Sequence, residues 1–181
     1  QGHEGLSRDF EYQIRLASRK PSYAPDAVVD KPAQLNIFQN GELKHQVHGI
    51  VSAFVQSDSG SFHSVYEITL VPEFKRLSLR QNSRIFQQKT AKEIISALLG
   101  EAGLDNYAFS LKREPAVREY CVQYRESDQA FIERLAAEEG IFHYFTYAKG
   151  KHTLMFSDDT QTLSSQGPVL YNSSPGAIVP E

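Results

Sequence analysis

The chain has 181 residues and a single cysteine, Cys121, and a chain of this length buries roughly 70% of its unfolded surface and can fold without disulfides. Its 19 lysines and arginines are scattered among 22 aspartates and glutamates, for a net charge of -3, which excludes the basic footprint of a nucleic-acid-binding protein. One cysteine also excludes a four-cysteine zinc site, and apolar runs of a few residues fall far short of the ~20 needed to cross a bilayer.

The first 80 residues alternate between apolar and polar side chains, which is typical of half-buried strands. Asn40-Gly41 tolerates positive φ at both positions and predicts a type I′ hairpin turn. Residues 19–34 carry three prolines and predict a connecting loop, residues 58–60 predict a second turn, and Pro72 ends the last strand. The predicted strands of this antiparallel meander are residues 10–16, 35–39, 47–55 and 65–71.

A helix is predicted to begin at Thr90, because Thr90 and Glu93 form a capping box in which each side chain satisfies a free backbone donor of the other residue. Gly103 supplies a left-handed exit about three turns later. The apolar stripe of this helix consists of Ile94, Ile95, Leu98 and Leu99.

The second half of the chain predicts a further helix between pairs of strands. Either Ser127 or Asp128 can cap the helix and Gly140 ends it. The apolar side of the helix consists of Phe131, Ile132, Leu135 and Ala136. The predicted strands are residues 107–111, 119–124, 141–147 and 152–156, the last two forming a hairpin that turns at Lys149-Gly150.

Two helices among about ten strands, without regular βαβ alternation, indicate a mainly β fold of the α+β kind. We expect antiparallel barrels or sandwiches that carry the helices as insertions. Residues 164–181 are rich in Ser, Pro and Gly and are typical of an extended arm or linker.

Three residues suggest chemistry at first sight. His45 and His48 are three positions apart, so on a strand they point to opposite faces and do not converge on one metal ion. Cys121 lies in a strand pattern, where a free cysteine more often packs as a small apolar residue than acts as a nucleophile. We therefore assign no metal ligand and no nucleophile.

Acidic residues cluster before and along the second predicted helix, and glycoside cleavage needs a pair of carboxylates. Helix-dipole stabilisation and ordinary solvation already explain acidic residues in such places. No nucleophile, base and orienting group can be combined with them, and no phosphate-binding loop is present, so we expect no cofactor and no enzyme activity. The acidic residues are Glu126, Asp128, Glu133, Glu138 and Glu139.

Aromatic residues are concentrated between Phe142 and Tyr147. The chain has nine Tyr and eleven Phe but no Trp, so these rings must also build the core. We expect every second ring of this strand to be core, and the surface tyrosines to be candidates for a protein interface.

The segment VQYRESDQAFIERLAAEEGIFHYF, residues 122–145, resembles the signature stretch of VgrG and Rhs-associated spike proteins. Shorter pieces follow the order of that family, namely GHEGLSRDF at residues 2–10, HGIV at 48–51 and SRIFQ at 83–87. The resemblance extends over about residues 2–159. The family often has a Trp within the region of residues 73–77, where this chain has Phe74.

The resemblance implies a fold like the baseplate hub of contractile phages, with two related β-barrel domains at residues 1–80 and 81–159. Residues 160–181 would be the arm, or would complete the first barrel. The oligonucleotide/oligosaccharide-fold domain and the β-helix needle that follow the hub in such proteins do not occur in this sequence.

The same resemblance implies a structural hub of the type VI secretion spike and not an enzyme. The implied partners are two further copies of the chain, the hexameric tube protein, baseplate components, and secreted effectors or adaptors, with no nucleic acid and no stable membrane insertion. We expect the protein in the bacterial cytoplasm before firing and outside it afterwards, without a signal peptide. The rival interpretations are a stand-alone carbohydrate-binding module and a tail-associated wall hydrolase.

Overall fold

The computed structural model describes residues 1–59, 62–148 and 150–163. The described strands are β1 (Gly2–His3), β2 (Glu11–Ser18), β3 (Pro32–Gln39), β4 (Glu42–Ser59), β5 (Ser64–Val71), β6 (Gln81–Lys89), β7 (Tyr107–Ser110), β8 (Arg118–Ser127), β9 (Phe142–Ala148) and β10 (Lys151–Ser157). The α-helices are α1 (Ala91–Glu101) and α2 (Asp128–Glu138), and the 3₁₀ helices are Pro25–Ala27, Glu73–Leu79 and Thr160–Thr162. The predicted arm at residues 164–181 lies outside the described residues.

Strands β1 to β5 form an antiparallel sheet in the order β1-β2-β5-β4-β3. Gln39 faces Glu42 across the two-residue turn, in which Asn40 and Gly41 have φ of 52° and 78°. This confirms the predicted hairpin. Strand β4 is longer than the predicted 47–55, and its pairing with β5 shifts register at two bulges, which bend such a strand.

The remaining strands form a three-stranded sheet, β7-β10-β9, and a two-stranded ribbon, β6-β8. The β9–β10 hairpin confirms the prediction, with register running from Lys151 opposite Ala148 to Ser157 opposite Phe142. Strand β7 pairs in parallel with β10, which departs from the expected antiparallel arrangement. The chain between them contains β8, α2 and β9, enough to return in the same direction.

Both helices begin and end as predicted. In α1 the backbone N–H of Glu93 donates to Thr90 Oγ1 at 3.2 Å, and the N–H of Thr90 donates to Glu93 Oε2 at 2.8 Å. In α2 the cap is Ser127, whose Oγ accepts from the N–H of Ala130 at 3.1 Å. Gly103 and Gly140, with φ of 71° and 70°, follow the two helices.

The hydrophobic core has two parts. The larger part lies between α1, α2, the 3₁₀ helix Glu73–Leu79 and β10, and Cys121 is buried in it. This confirms the prediction that Cys121 packs as an apolar residue. The smaller part consists of Phe10, Val47 and Leu70, and Phe145 packs against both parts.

We call β1–β5 the sheet lobe, and we call the 3₁₀ helix Glu73–Leu79 with α1, α2 and β6–β10 the helical lobe. The fold is therefore mainly β with few helices, as expected. Among the described residues the strands form three open sheets and no closed barrel. No described helix has both the length and the apolar character of a bilayer-spanning segment.

Candidate interaction surface and buried polar cluster

The ribbon β6–β8 has one face on the helical core and one face open to solvent. Ile85 lies opposite Val122, with Tyr120 and Tyr124 on either side of Val122 along β8. These four side chains are exposed by 65%, 39%, 64% and 66% respectively. We call them the ribbon patch. A contiguous exposed patch of aromatic and branched apolar side chains is typical of a protein interaction surface.

The position of the ribbon patch corrects an expectation from sequence. Exposed tyrosines were expected in the strand around Phe142–Tyr147, but Tyr144 and Tyr147 are half-buried there. The tyrosines that stand out on one sheet face are Tyr120 and Tyr124. Because side chains alternate between the two faces of a strand, the sequence of β8 placed both tyrosines on one face. The sequence did not show that this face would be left exposed to solvent.

The inner face of the ribbon carries a polar cluster centred on Asp128, which has no solvent exposure. Asp128 Oδ1 accepts from Gln123 Nε2 at 2.8 Å, Asn82 Nδ2 at 2.9 Å and Arg84 Nη2 at 3.0 Å. Arg80 Nε lies 3.2 Å from Asp128 Oδ2. The cluster therefore ties the ribbon to the first turn of α2.

The electrostatics of this cluster favour the ionised carboxylate. Burial opposes ionisation of Asp128, but the hydrogen bonds from Gln123, Asn82 and Arg84 outweigh it and lower the pKa of Asp128. For Arg84, burial opposes the charge, while hydrogen bonds to Glu101 and Asp128 raise its pKa. The cluster is therefore a structural tie that is charged at neutral pH.

The remaining acidic candidates are held in ion pairs or hydrogen bonds. Arg134 binds Glu126 at 2.6 Å and Glu138 at 2.9 Å, and Arg118 binds Glu138 and Glu139, each at 2.6 Å. Glu133 accepts from Gln129 Nε2 at 2.9 Å. The pairs of Arg134 with Glu126 and of Arg118 with Glu138 and Glu139 fasten α2 to β8. Together these contacts explain the acidic cluster more fully than the helix dipole that the sequence suggested.

The two histidines of β4 come closer than strict alternation predicts. The rings of His45 and His48 lie with their centroids 5.8 and 6.4 Å from that of Tyr147. His45 Nε2 is 3.3 Å from Glu4 Oε1, whereas His48 is buried and its Nε2 has no hydrogen-bond partner among the described residues. In the described part of the chain, no group of three or more His, Cys, Asp or Glu side chains could hold a metal ion.

Comparison with known proteins places this geometry in a family. The model of the phage tail baseplate hub family (GPD) matches residues 3–179. The "Actin cross-linking toxin VgrG1" of Vibrio cholerae serotype O1 is 51% identical over 171 residues, which are 94% of this chain and 16% of that protein. The "Type VI secretion system spike protein VgrG3" of the same species is 47% identical over 94% of this chain and 17% of that protein.

The chain belongs to the baseplate hub family and to its VgrG spike proteins.

A solved structure agrees with this assignment. The E. coli c3393 protein, described as a component of the type VI secretion system with structural similarity to the T4 bacteriophage tail proteins gp27 and gp5, superposes with a TM-score of 0.85 at 28% identity. The match covers 91% of this chain and 46% of that one. The chain spans about a sixth of the length of the two VgrG proteins from Vibrio cholerae, so the toxin activity in the name of one of them belongs to a much longer protein.

Proposed function

We propose that this chain is the amino-terminal hub region of a type VI secretion spike, which assembles as a trimer on the tip of the tube. The observation that carries the proposal is how much of this chain is matched. In sequence, 94% of it aligns with VgrG proteins, and in structure 91% of it aligns with the c3393 protein. In the assembled spike, residues 1–80 and 81–159 would complete two related barrels, with residues 160–181 as the arm or as part of the first barrel.

The role of such a hub is mechanical. Force from contraction would pass from the tube through the hub to a membrane-puncturing needle, which requires a rigid body and broad subunit contacts. Two features support this role: α2 is fastened to β8 by arginine–carboxylate pairs, and the ribbon patch is open for contact. Baseplate components and effectors or adaptors would be further partners.

The proposed function includes no catalysis. VgrG3 is named a spike protein and the matching family model describes a baseplate hub. The acidic candidates of this chain serve as partners in ion pairs and hydrogen bonds. The protein would lie in the cytoplasm before firing and be secreted with the spike.

One observation favours a second candidate, a carbohydrate-binding surface. Tyr120 and Tyr124 lie on one face of β8 and are both exposed, and exposed aromatic rings on a sheet can stack against sugars.

The two functions are separated by one set of binding experiments. The intact protein is mixed with the tube protein of its system and examined by electron microscopy, and in parallel with cell-wall glycan fragments by calorimetry. Density at one end of the tubes, without glycan binding, supports the hub. Glycan binding that Tyr124→Ala abolishes, with bare tube ends, would replace it with the carbohydrate-binding function.

A further inference from the structure

The described strands contain two cross-strand pairs in which both side chains are large, apolar and exposed by more than a third. One pair is Ile85–Val122, at the centre of the ribbon patch. The other is Phe38–Leu43, next to the turn of the β3–β4 hairpin, with exposures of 60% and 49%. We call Phe38 and Leu43 the hairpin tip. The first pair lies in the helical lobe and the second in the sheet lobe, so each lobe carries one uncovered apolar pair.

Both pairs are open to the approach of another molecule. No residue of β6, which carries one side of the ribbon patch, is buried. The last four residues of β3, 36–39, are all exposed. Removing apolar side chains from water is favourable in proportion to the area buried. A partner therefore reaches both pairs without displacing any described part of the chain.

The symmetry of a ring determines how such surfaces are used. In a closed ring of three chains each chain contacts two neighbours, and two different surfaces of the chain meet at every contact. A contact of the ribbon patch with an identical ribbon patch would join only two chains. The two apolar pairs, one on each lobe, supply the two different surfaces that a ring needs.

Positive charge borders the ribbon patch. The guanidinium carbon of Arg125 lies 5.4 Å from the centroid of the Tyr124 ring. Lys89 is exposed and lies, by alternation along β6, on the same face as the patch. Glu119 lies by alternation on the opposite face of β8. Like charges oppose each other across an interface, so the patch favours a partner with a carboxylate over a second ribbon patch.

The hairpin tip supplies such a carboxylate. Glu42 directly precedes Leu43, and its side chain is 73% exposed. It pairs with Lys44 at 2.6 Å, and Lys44 is itself half exposed. An exposed ion pair contributes little to stability, so Glu42 exchanges this partner for a cation of another chain at little cost. The hairpin tip and the ribbon patch are complementary both in apolar character and in charge.

We propose that the hairpin tip of one copy of the chain docks on the ribbon patch of a second copy, with Glu42 of the first copy facing Arg125 of the second. The apolar pair of the tip covers the apolar pair of the ribbon between the rings of Tyr120 and Tyr124. Around the ring, the contact joins the sheet lobe of each copy to the helical lobe of the next. The inference rests on the proposed trimeric hub and names its subunit contact.

Two variants of the intact protein, each with one altered surface, test the contact. Phe38→Asp places a charge on the hairpin tip and leaves the ribbon patch intact, whereas Ile85→Asp does the reverse. Each variant alone should raise the concentration at which the trimer dissociates by about 10-fold. In an equimolar mixture, the intact tip of one variant meets the intact patch of the other. Because the two remaining surfaces are altered, assembly should stop at dimers that contain one chain of each.

Sedimentation of one fluorescently labelled variant against the other, and of each variant alone, measures the three affinities. The Kd of the mixed pair should be lower than that of either variant with itself by about 10-fold or more. Tight self-association of Phe38→Asp would mean that two ribbon patches pair with each other and would overturn the inference. Equal affinity in all three combinations would overturn it as well.

Val117→Asp is the matched control, because Val117 and Phe38 are both 60% exposed and Val117 belongs to neither surface. This variant should assemble as the wild type does. Loss of assembly equal to that of Phe38→Asp would show that any added charge has this effect and would contradict the contact.

If either of the two surface variants lacks a folded far-UV circular dichroism spectrum, a charge reversal decides. Glu42→Arg and Arg125→Glu should each raise the dissociation concentration by about 3- to 5-fold. The chain with both substitutions should return to within about 2-fold of the wild type. A double variant as weak as the sum of the two single ones would contradict the contact.

The wild type separates this inference from the hub function on which it rests. If the wild type forms a species of three chains and both surface variants do so at the same concentrations, the hub function stands and the contact is overturned. If the wild type is a monomer, both are overturned.

Discussion

The helical lobe and the sheet lobe are stabilised in different ways. The helical lobe closes an apolar core around α1 and α2 and surrounds it with charge clusters on Asp128, Arg118 and Arg134. The sheet lobe buries Phe10, Val47 and Leu70 as its own core cluster and depends on Phe145 of β9 to cover them. The helical lobe should therefore be locally stable, whereas the sheet lobe needs its neighbours.

The largest predicted effect on local stability comes from replacing two equally buried phenylalanines, one in each part of the core. Phe131→Ala in the helical core should lower the free energy of opening of the α1 and α2 amides by about 3–5 kcal/mol. Phe10→Ala, in the smaller part of the core, should instead lower the protection of residues 1–10 and of the β2 amides and leave α1 protected. Hydrogen exchange of the intact protein reads both local stabilities. Loss of protection throughout the chain in both variants would show that the two lobes unfold as one unit.

The polar cluster centred on Asp128 predicts a smaller, pH-dependent effect on the local stability of α2. Asp128→Asn leaves Arg84 and Arg80 beside a neutral group and should cost about 3 kcal/mol at pH 7, measured by exchange of the α2 amides. The pKa of Asp128 is lowered, so its contribution is present above its ordinary value of 3.8 and is lost as the pH falls through the folded value. The difference from wild type should shrink below pH 4.

Glu114→Gln is the control for this prediction. Glu114 is largely exposed in its pair with Lys92, and an exposed ion pair contributes about 0–1 kcal/mol. An Asp128→Asn variant no less stable than Glu114→Gln would show that the Asp128 cluster does not stabilise α2.

The ribbon patch should matter for assembly and not for local folding. Tyr124→Asp or Ile85→Asp should raise the concentration at which the assembled hub dissociates by about 10-fold, equivalent to about 1.4 kcal/mol. Sedimentation across a dilution series measures this. Val117→Asp changes an equally exposed residue outside the patch, and the same shift in that control would mean that the effect is not specific to the patch.

The smallest effect is predicted at the start of α1. Thr90→Ala removes the side-chain oxygen that accepts from Glu93 and should lower the opening free energy of the first turn of α1 by about 1 kcal/mol. Ser96→Ala, within the same helix, should change it by less than about 0.5 kcal/mol. Equal effects of the two substitutions on exchange in α1 would argue against the capping box.

Local sequence patterns predicted the elements whose bonds are local. The capping box at Thr90, the Asn40–Gly41 turn and the β9–β10 hairpin each close within a few residues, so residue type determines them directly. Strand β6 was not predicted, because its inward-facing residues include Asn82 and Arg84, which are polar. They become inward-facing only because Asp128, more than 40 positions away, supplies a buried partner.

The candidate site was predictable only in part. The sequence identified Asp128 as an acidic residue at a helix start, but its partners come from β6 and β8, whose pairing has no local signature.

The central claim, that the chain is part of a trimeric hub, is tested most directly by the molar mass of the intact protein in solution. Light scattering at micromolar concentration should give a single species of three chains. A stable monomer over the same concentrations would contradict the claim.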